Sequence, residues 1–205
     1  RLASLNAEPS LFDIVPTTEV IEMSDHPAKA FSQKRDSSIA VGFGMLKSGL
    51  IDGFASAGNT GAMMVGASYT VNVIPGVYRP ALAALIPNVN GKSSILLDVG
   101  INPDSKPDVL LQYGLLGTVY ARHVLGVKNP VVGLLNIGTE ESKGSSAVKA
   151  AYELLNESTD INFRGNIEGH HLFTDDMTDV IVCDGFVGNV VLKMAEKFYV
   201  VARSR

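Results

Sequence analysis

The sequence predicts an α/β fold of three layers, with helices on both faces of a largely parallel sheet. Short β-branched runs alternate along the chain with longer stretches of helical period. Several of those runs are apolar at consecutive positions, so both of their faces must be covered. Crossovers between parallel strands are right-handed, which sets the carboxyl ends of the strands along one edge.

The elements follow in order. Residues 12–15 are a candidate strand, and 37–48 a helix with Ile39, Phe43 and Leu46 at helical spacing. Residues 53–57 read as a short buried strand and 60–73 as a helix rich in small residues. Residues 80–87 and 94–99 are apolar strands, an expected pair across the Asn88-Val89-Asn90-Gly91 turn. Residues 107–125 form the longest helix, and Pro107 suits its first turn. A strand at 131–137, a helix at 145–156 and a short strand at 162–164 come next. The strand at 180–183 leads into a last helix starting at Gly188.

The 205 residues are expected to be a single α/β domain that is incomplete at both ends. Residue 1 is Arg rather than Met, residues 2–7 read as the tail of a helix, and residues 190–205 are still helical in pattern at the last residue. A chain that is 46% hydrophobic and 19% charged has the material for a core and does not read as disordered. The net charge of −4 gives no support to nucleic-acid binding. No run is long and uncharged enough to span a bilayer, and nothing resembles a secretory signal. One cysteine, Cys183, excludes an internal disulfide. Cytoplasmic residence is the default expectation.

The chemistry is expected in four loops, each after a predicted strand and before a predicted helix. They contain Gly58, Asn59 and Thr60; Asp98 and Asn102; Asn136, Thr139, Glu140 and Lys143; and Asp184, Gly185, Gly188 and Asn189. Open parallel sheets bind ligands along that edge. Glycines let backbone N–H groups approach an anion, and each helix start adds unpaired donors. Strand-to-helix turns favour the same residue types without any ligand, but four such loops on one edge favour an anion site of unspecified identity. Lys143 is the only cation in these loops; spacing alone favours a solvated lysine beside Glu140 and Glu141. Asn189 reads as a helix N-cap or as a neutral donor to an oxyanion, and Asn59 and Thr60 carry the same ambiguity.

Other chemistries lack their residues. Gly91-Lys92-Ser93 has Ile86 where a phosphate-binding loop needs its first glycine, and Gly42-Phe43-Gly44 lacks the third glycine of a dinucleotide fingerprint. No nucleophile elbow occurs. His26, His123, His170 and His171 have no metal-ligand spacing; the last two would point to opposite sides if extended and read better as a polar loop. Cys183 ends an apolar strand and reads as an inert buried thiol. No metal and no cofactor are expected. A reaction joining phosphate to an activated thioester needs no protein nucleophile, only positioning and oxyanion stabilisation. Positioning can contribute on the order of 7–11 kcal/mol, and one oxyanion donor about 3–4 kcal/mol.

Most of the same loop residues recur within a wider set of blocks. These are Glu19-Val20-Ile21-Glu22-Met23, Lys34-Arg35-Asp36-Ser37-Ser38, Ser56-Ala57-Gly58-Asn59-Thr60-Gly61-Ala62 and Arg79-Pro80-Ala81-Leu82, followed by Leu96-Leu97-Asp98-Val99-Gly100, Gly133-Leu134-Leu135-Asn136-Ile137-Gly138-Thr139-Glu140-Glu141 and Asp184-Gly185-Phe186-Val187-Gly188-Asn189-Val190. In order and spacing, from residue 19 to about 193, they resemble the signature of the bacterial phosphate acyltransferase family PlsX. The resemblance implies a fold related to phosphotransacetylases and to isocitrate and isopropylmalate dehydrogenases. It implies a homodimer that makes acyl phosphate from fatty acyl-[acyl carrier protein] and inorganic phosphate in phospholipid synthesis. The product would feed a membrane glycerol-phosphate acyltransferase, and the family can associate peripherally with the membrane. Lys143 and Asn189 match positions expected to be essential; Asn59, Thr60, Asp98, Asn102, Thr139 and Asp184 match the surrounding site. The family's opening strand, with its Asp-Ala-Met-Gly-Gly-Asp loop, and its apolar helical tip have no counterpart here, and Ile101 stands where a small residue is expected.

The alternatives are a phosphotransacetylase acting on short acyl-coenzyme A, a metal- and nicotinamide-dependent dehydrogenase on the same fold, and a non-catalytic acyl-group sensor.

Overall fold

A computed structural model describes residues 8–174 and 177–204. The expected helical tail at 2–7 lies outside the described residues. The chain divides into two compact units, residues 1–74 and 75–205.

The first unit is a small helical cluster of α1 (Pro27–Gln33), α2 (Ser38–Lys47) and α3 (Thr60–Thr70). Ser37 caps α2, its hydroxyl accepting from Ala40 N–H at 3.4 Å, and Asn59 caps α3, accepting from Ala62 N–H at 3.0 Å. Ile21, Ala30, Ile39, Phe43 and Ala62 form the core. Phe43 meets Phe54 edge-on, with ring centroids 5.1 Å apart. The glycine of the Gly42-Phe43 pair makes this possible, since a Cβ there would lie 2.2 Å from the Phe54 ring.

Two expected strands do not form in this unit. Residues 12–15 have no ladder partner among the described residues, and Phe12, Ile14 and Val15 are exposed. Residues 53–57 stay outside any sheet because Phe54 packs onto α2 instead. Helix α1 was not anticipated. It is short and takes its start from Pro27 rather than from a long apolar period.

The second unit contains the sheet: β1 (Ala83–Pro87), β2 (Ser93–Leu97), β3 (Val131–Leu135), β4 (Asn162–Ile167) and β5 (Val180–Val182). Its order is β1-β2-β5-β3-β4. β2, β5, β3 and β4 are parallel, and β1 pairs antiparallel with β2 as the hairpin turn at 88–91 predicts. The helices are α4 (Pro107–His123), α5 (Ser146–Glu157), α6 (His171–Thr174) and α7 (Gly185–Arg203).

Side-chain alternation builds the three layers. Ile95, Leu97, Val132, Leu134, Val180 and Val182 face one way, onto Val109, Leu110, Tyr113 and Ala121 of α4 and Ala151 and Leu155 of α5. Leu96, Leu135, Ile167, Ile181 and Cys183 face the other way, joined by Leu172 of α6 and Val191 and Leu192 of α7. Both strand faces are therefore covered, the arrangement that runs of consecutive apolar residues require. β4 runs on to Ile167, beyond the expected end at 164, because a register shift against β3 absorbs the irregularity near Gly165.

Candidate active site at the strand ends

Leu97, Val182 and Leu134 lie side by side in register on β2, β5 and β3. These strands are parallel neighbours, so the loops that follow them leave the sheet on one rim. Asp98 and Asn102, Asp184 to Asn189, and Asn136 to Lys143 are thereby brought to one edge of the second unit. Gly58, Asn59 and Thr60 belong to the first unit, and their loop follows no strand of the sheet. Three of the four expected loops are thus strand-end loops.

Asp98 is 0% exposed and organises its loop. Its Oδ1 accepts from Leu82 N–H at 2.8 Å; its Oδ2 accepts from Asn102 N–H at 2.6 Å, from Ile101 N–H at 3.1 Å and from Asn102 Nδ2 at 3.3 Å. Asn102 is also buried, and its Nδ2 reaches Pro80 O at 2.8 Å. Asn59 is similarly committed within its own unit, donating to the carbonyls of Glu22, Met23 and Asp25 while it caps α3. In all three residues the polar atoms shape backbone. Gly58 and Thr60 flank Asn59, and Thr60 is exposed at the first residue of α3.

The start of α7 corrects one expectation. The helix begins at Gly185, with Asp184 as its cap: Asp184 Oδ1 accepts from Val187 N–H at 2.8 Å. Asn189 is therefore not a cap. It lies in the second turn, exposed, against the Asp98–Asn102 loop. A Cβ at Gly100, whose φ is +115°, would touch the Asn189 side chain at 3.4 Å. Gly185 and Gly188 allow this first turn to press on that loop. Gly185 N–H donates to Asn102 O at 2.8 Å, and a Cβ on Gly188 would lie 1.9 Å from Asp98 O.

The Asn136–Gly144 loop holds Lys143. Asn136 Oδ1 accepts from Ile137 N–H at 2.8 Å, and its Nδ2 donates to Lys143 O at 3.1 Å. Lys143 N–H donates to Glu140 O at 3.1 Å, closing a turn. Gly144 has φ +91°, and a Cβ there would fall 2.6 Å from Asn136 Oδ1. Thr139, Glu140 and Lys143 are exposed. Lys143 makes no ion pair among the described residues, so its ammonium is available to an anion.

Arg79, Ser105 and Lys106 were not singled out individually. With Asn102 they line a cavity of about 210 Å3 that also meets Tyr78, Asp104, Asp108 and Val109. Arg79 belongs to the Arg79-Pro80-Ala81-Leu82 block, whereas Ser105 and Lys106 carry no sequence signal, because their placement depends on how the Asp98 loop folds. Tyr113 lies nearby and wholly buried; burial pushes its phenol pKa up, partly opposed by Ser105.

Cys183 is buried, and burial pushes its thiol well above the ordinary value, with Asp184 and Asp98 adding to the effect. His170 and His171 are not extended: His170 ends the turn that leads into α6, the two rings sit 3.9 Å apart between centroids, and His171 Nδ1 accepts from Glu168 N–H at 3.0 Å. Among the described residues no three of His, Cys, Asp and Glu are grouped as metal ligands would be. No helix among them is long and apolar enough to cross a membrane.

Two solved structures share this fold: a phosphotransacetylase from Streptococcus pyogenes (TM-score 0.59, 18% identity, 84% of this chain and 58% of that one) and a branched-chain phosphotransacylase from Enterococcus faecalis V583 (TM-score 0.50, 17% identity, 84% and 65%). Proteins named phosphate acyltransferase from Desulfitobacterium hafniense (strain DSM 10664 / DCB-2) and Caldicellulosiruptor bescii are 48% and 51% identical to it, over 92% and 90% of this chain and 56% and 54% of their own. The chain thus spans about half the length of the curated relatives it matches. The model of the family described as fatty acid synthesis protein matches residues 2–204, across both compact units. This chain belongs to the fatty acid synthesis protein family, whose relatives here carry the name phosphate acyltransferase.

Proposed function

We propose that the protein containing this chain is an enzyme that transfers a fatty acyl group from the thioester of acyl carrier protein to inorganic phosphate. The observation that carries this reading is the rim itself, where the loops after β2, β5 and β3 gather an exposed lysine with no ion pair among the described residues, an exposed asparagine and a helix start. The relatives' name, phosphate acyltransferase, supplies the reaction class.

In this reading Lys143 holds hydrogen phosphate as a point charge, helped by amides of the glycine-bearing loops. A phosphate oxygen attacks the thioester carbonyl, and Asn189 Nδ2 donates to the oxyanion that forms. The carbon–sulfur bond then breaks; the proton from hydrogen phosphate ends on the departing thiol, leaving acyl phosphate. Thr139 and Glu140 complete the substrate-binding set on this rim, while Asp98, Asn102, Asn136, Asp184, Gly185 and Gly188 position it. The same reading treats residues 1–205 as a single α/β domain that is incomplete at both ends. It makes the working protein a cytoplasmic homodimer, peripheral to the membrane, whose product is consumed by a membrane glycerol-phosphate acyltransferase.

Hydroxamate trapping of acyl phosphate, with full-length protein, palmitoyl-[acyl carrier protein] and phosphate, tests the reaction. Lys143→Ala and Asn189→Ala are each expected to lower turnover by about 100-fold or more with an unchanged circular dichroism spectrum. Wild-type rates in either variant would remove that residue's role. Turnover of acetyl-coenzyme A in place of the long acyl carrier substrate would move the protein to the phosphotransacetylase reading.

A further inference from the structure

Asn166 lies in β4, outside every loop that sequence pointed to, and is 6% exposed. Register places it beside Leu134 of β3, two residues before Asn136. Its Nδ2 donates to Glu140 O at 2.9 Å. That same carbonyl accepts from Lys143 N–H at 3.1 Å. At the other side of the residue, Lys143 O is held by Asn136 Nδ2 at 3.1 Å. Both backbone polar groups of Lys143 are therefore fixed, and Asn166 ties the turn that fixes one of them to the sheet. Asn166 Oδ1 accepts no hydrogen bond among the described residues. A buried carboxamide with half its capacity unused costs stability relative to an apolar side chain. Core packing alone gives no reason for an asparagine here.

We propose that Asn166 is a positioning residue for Lys143, clamping the Glu140–Lys143 turn onto β4 so that the lysine root keeps one place on the rim. Its kinetic consequence rests on the role given to Lys143 above. Nζ sits at the end of a flexible four-carbon stem, so the backbone is the part of the residue that the fold can hold. A turn freed from β4 would spread the ammonium over a larger volume and weaken its hold on phosphate.

Two measurements on the full-length protein test this. In Asn166→Ala, amide hydrogen exchange in residues 137–143 is expected to speed up by about tenfold, with the β5 amides unchanged. Unaltered exchange in that loop overturns the proposal whether or not the wild type makes acyl phosphate. In the trapping assay the same variant is expected to raise the phosphate KM several-fold and leave the acyl-donor KM unchanged. An equal rise in both overturns it. Asn166→Asp covers the case in which the alanine variant fails to fold. Its buried carboxyl donates to Glu140 O only when protonated, so protection of residues 137–143 relative to wild type should recover as pH falls. No recovery overturns the clamp. A wild type that makes no acyl phosphate would sink the proposed reaction and leave the exchange measurements to judge Asn166.

Discussion

Gly188 permits the closest approach on the rim. A methyl group there would meet a backbone oxygen, Asp98 O, rather than a flexible side chain, so the first turn of α7 would have to lift from the Asp98 loop. Gly188→Ala is expected to cost roughly 1–3 kcal/mol, read as a lower denaturant midpoint at unchanged slope. Asn189 would move with the turn. Cys183 tests burial from the other side. Its thiol is enclosed by the sheet and α7 and is held in its neutral form. A thiol reagent should therefore leave the native protein unmodified and react fully after unfolding; rapid native-state labelling would contradict this packing. The residues that look alike in sequence thus differ in kind. Asp98 and Asn59 are buried in hydrogen bonds to their own chain, whereas Lys143 and Asn189 present polar groups to solvent.

At the scale of elements, the helical cluster of the first unit is held at its loops by two carboxylates. Asp25 accepts from Lys34 Nζ at 2.6 Å and from Glu22 N–H at 2.9 Å, and the Lys34 bond chiefly holds its pKa below the ordinary 3.8. Asp36 accepts from the Thr18 hydroxyl and from Thr18 N–H, which hold its pKa low in the same way. A carboxylate depressed in the folded state stabilises it above the ordinary value, and that stabilisation is lost as pH falls through the folded pKa. The stability of the first unit should therefore decline as pH falls below about 4, only modestly because both carboxylates are solvent-exposed and screened, and Asp25→Asn with Asp36→Asn should flatten that dependence. An identical acid titration in the double variant would show that other groups control it. The strand predictions divide along the same line. β2, β3 and β5 were legible because their neighbours cover both faces. Residues 53–57 carry a similar apolar signal, yet Phe54 satisfies it by stacking on Phe43, with no ladder needed.

At the scale of the whole molecule, the sheet of the second unit is its most protected part. Val180, Ile181 and Val182 are essentially inaccessible and sit between β2 and β3. Amide exchange should be slowest in β5 and faster throughout α1, α2 and α3, whose core is smaller. Faster exchange in β5 than in α3 would place the stability elsewhere.

Sequence alone determined the α/β class, the parallel sheet, the antiparallel β1–β2 hairpin and the family, because apolar runs, turn residues and ordered blocks are local properties of a chain. It also pointed to the loops that bear Lys143 and Asn189. Tertiary structure decided which of those loops share a rim, since strand order β2-β5-β3 is set by long-range pairing that no local spacing encodes. It decided that α7 starts at Gly185 and places Asn189 exposed in the second turn rather than at the cap, because Asp184 supplies the capping oxygen. It also singled out Asn166, whose hydrogen bond reaches across 26 residues to a carbonyl that carries no sequence signature.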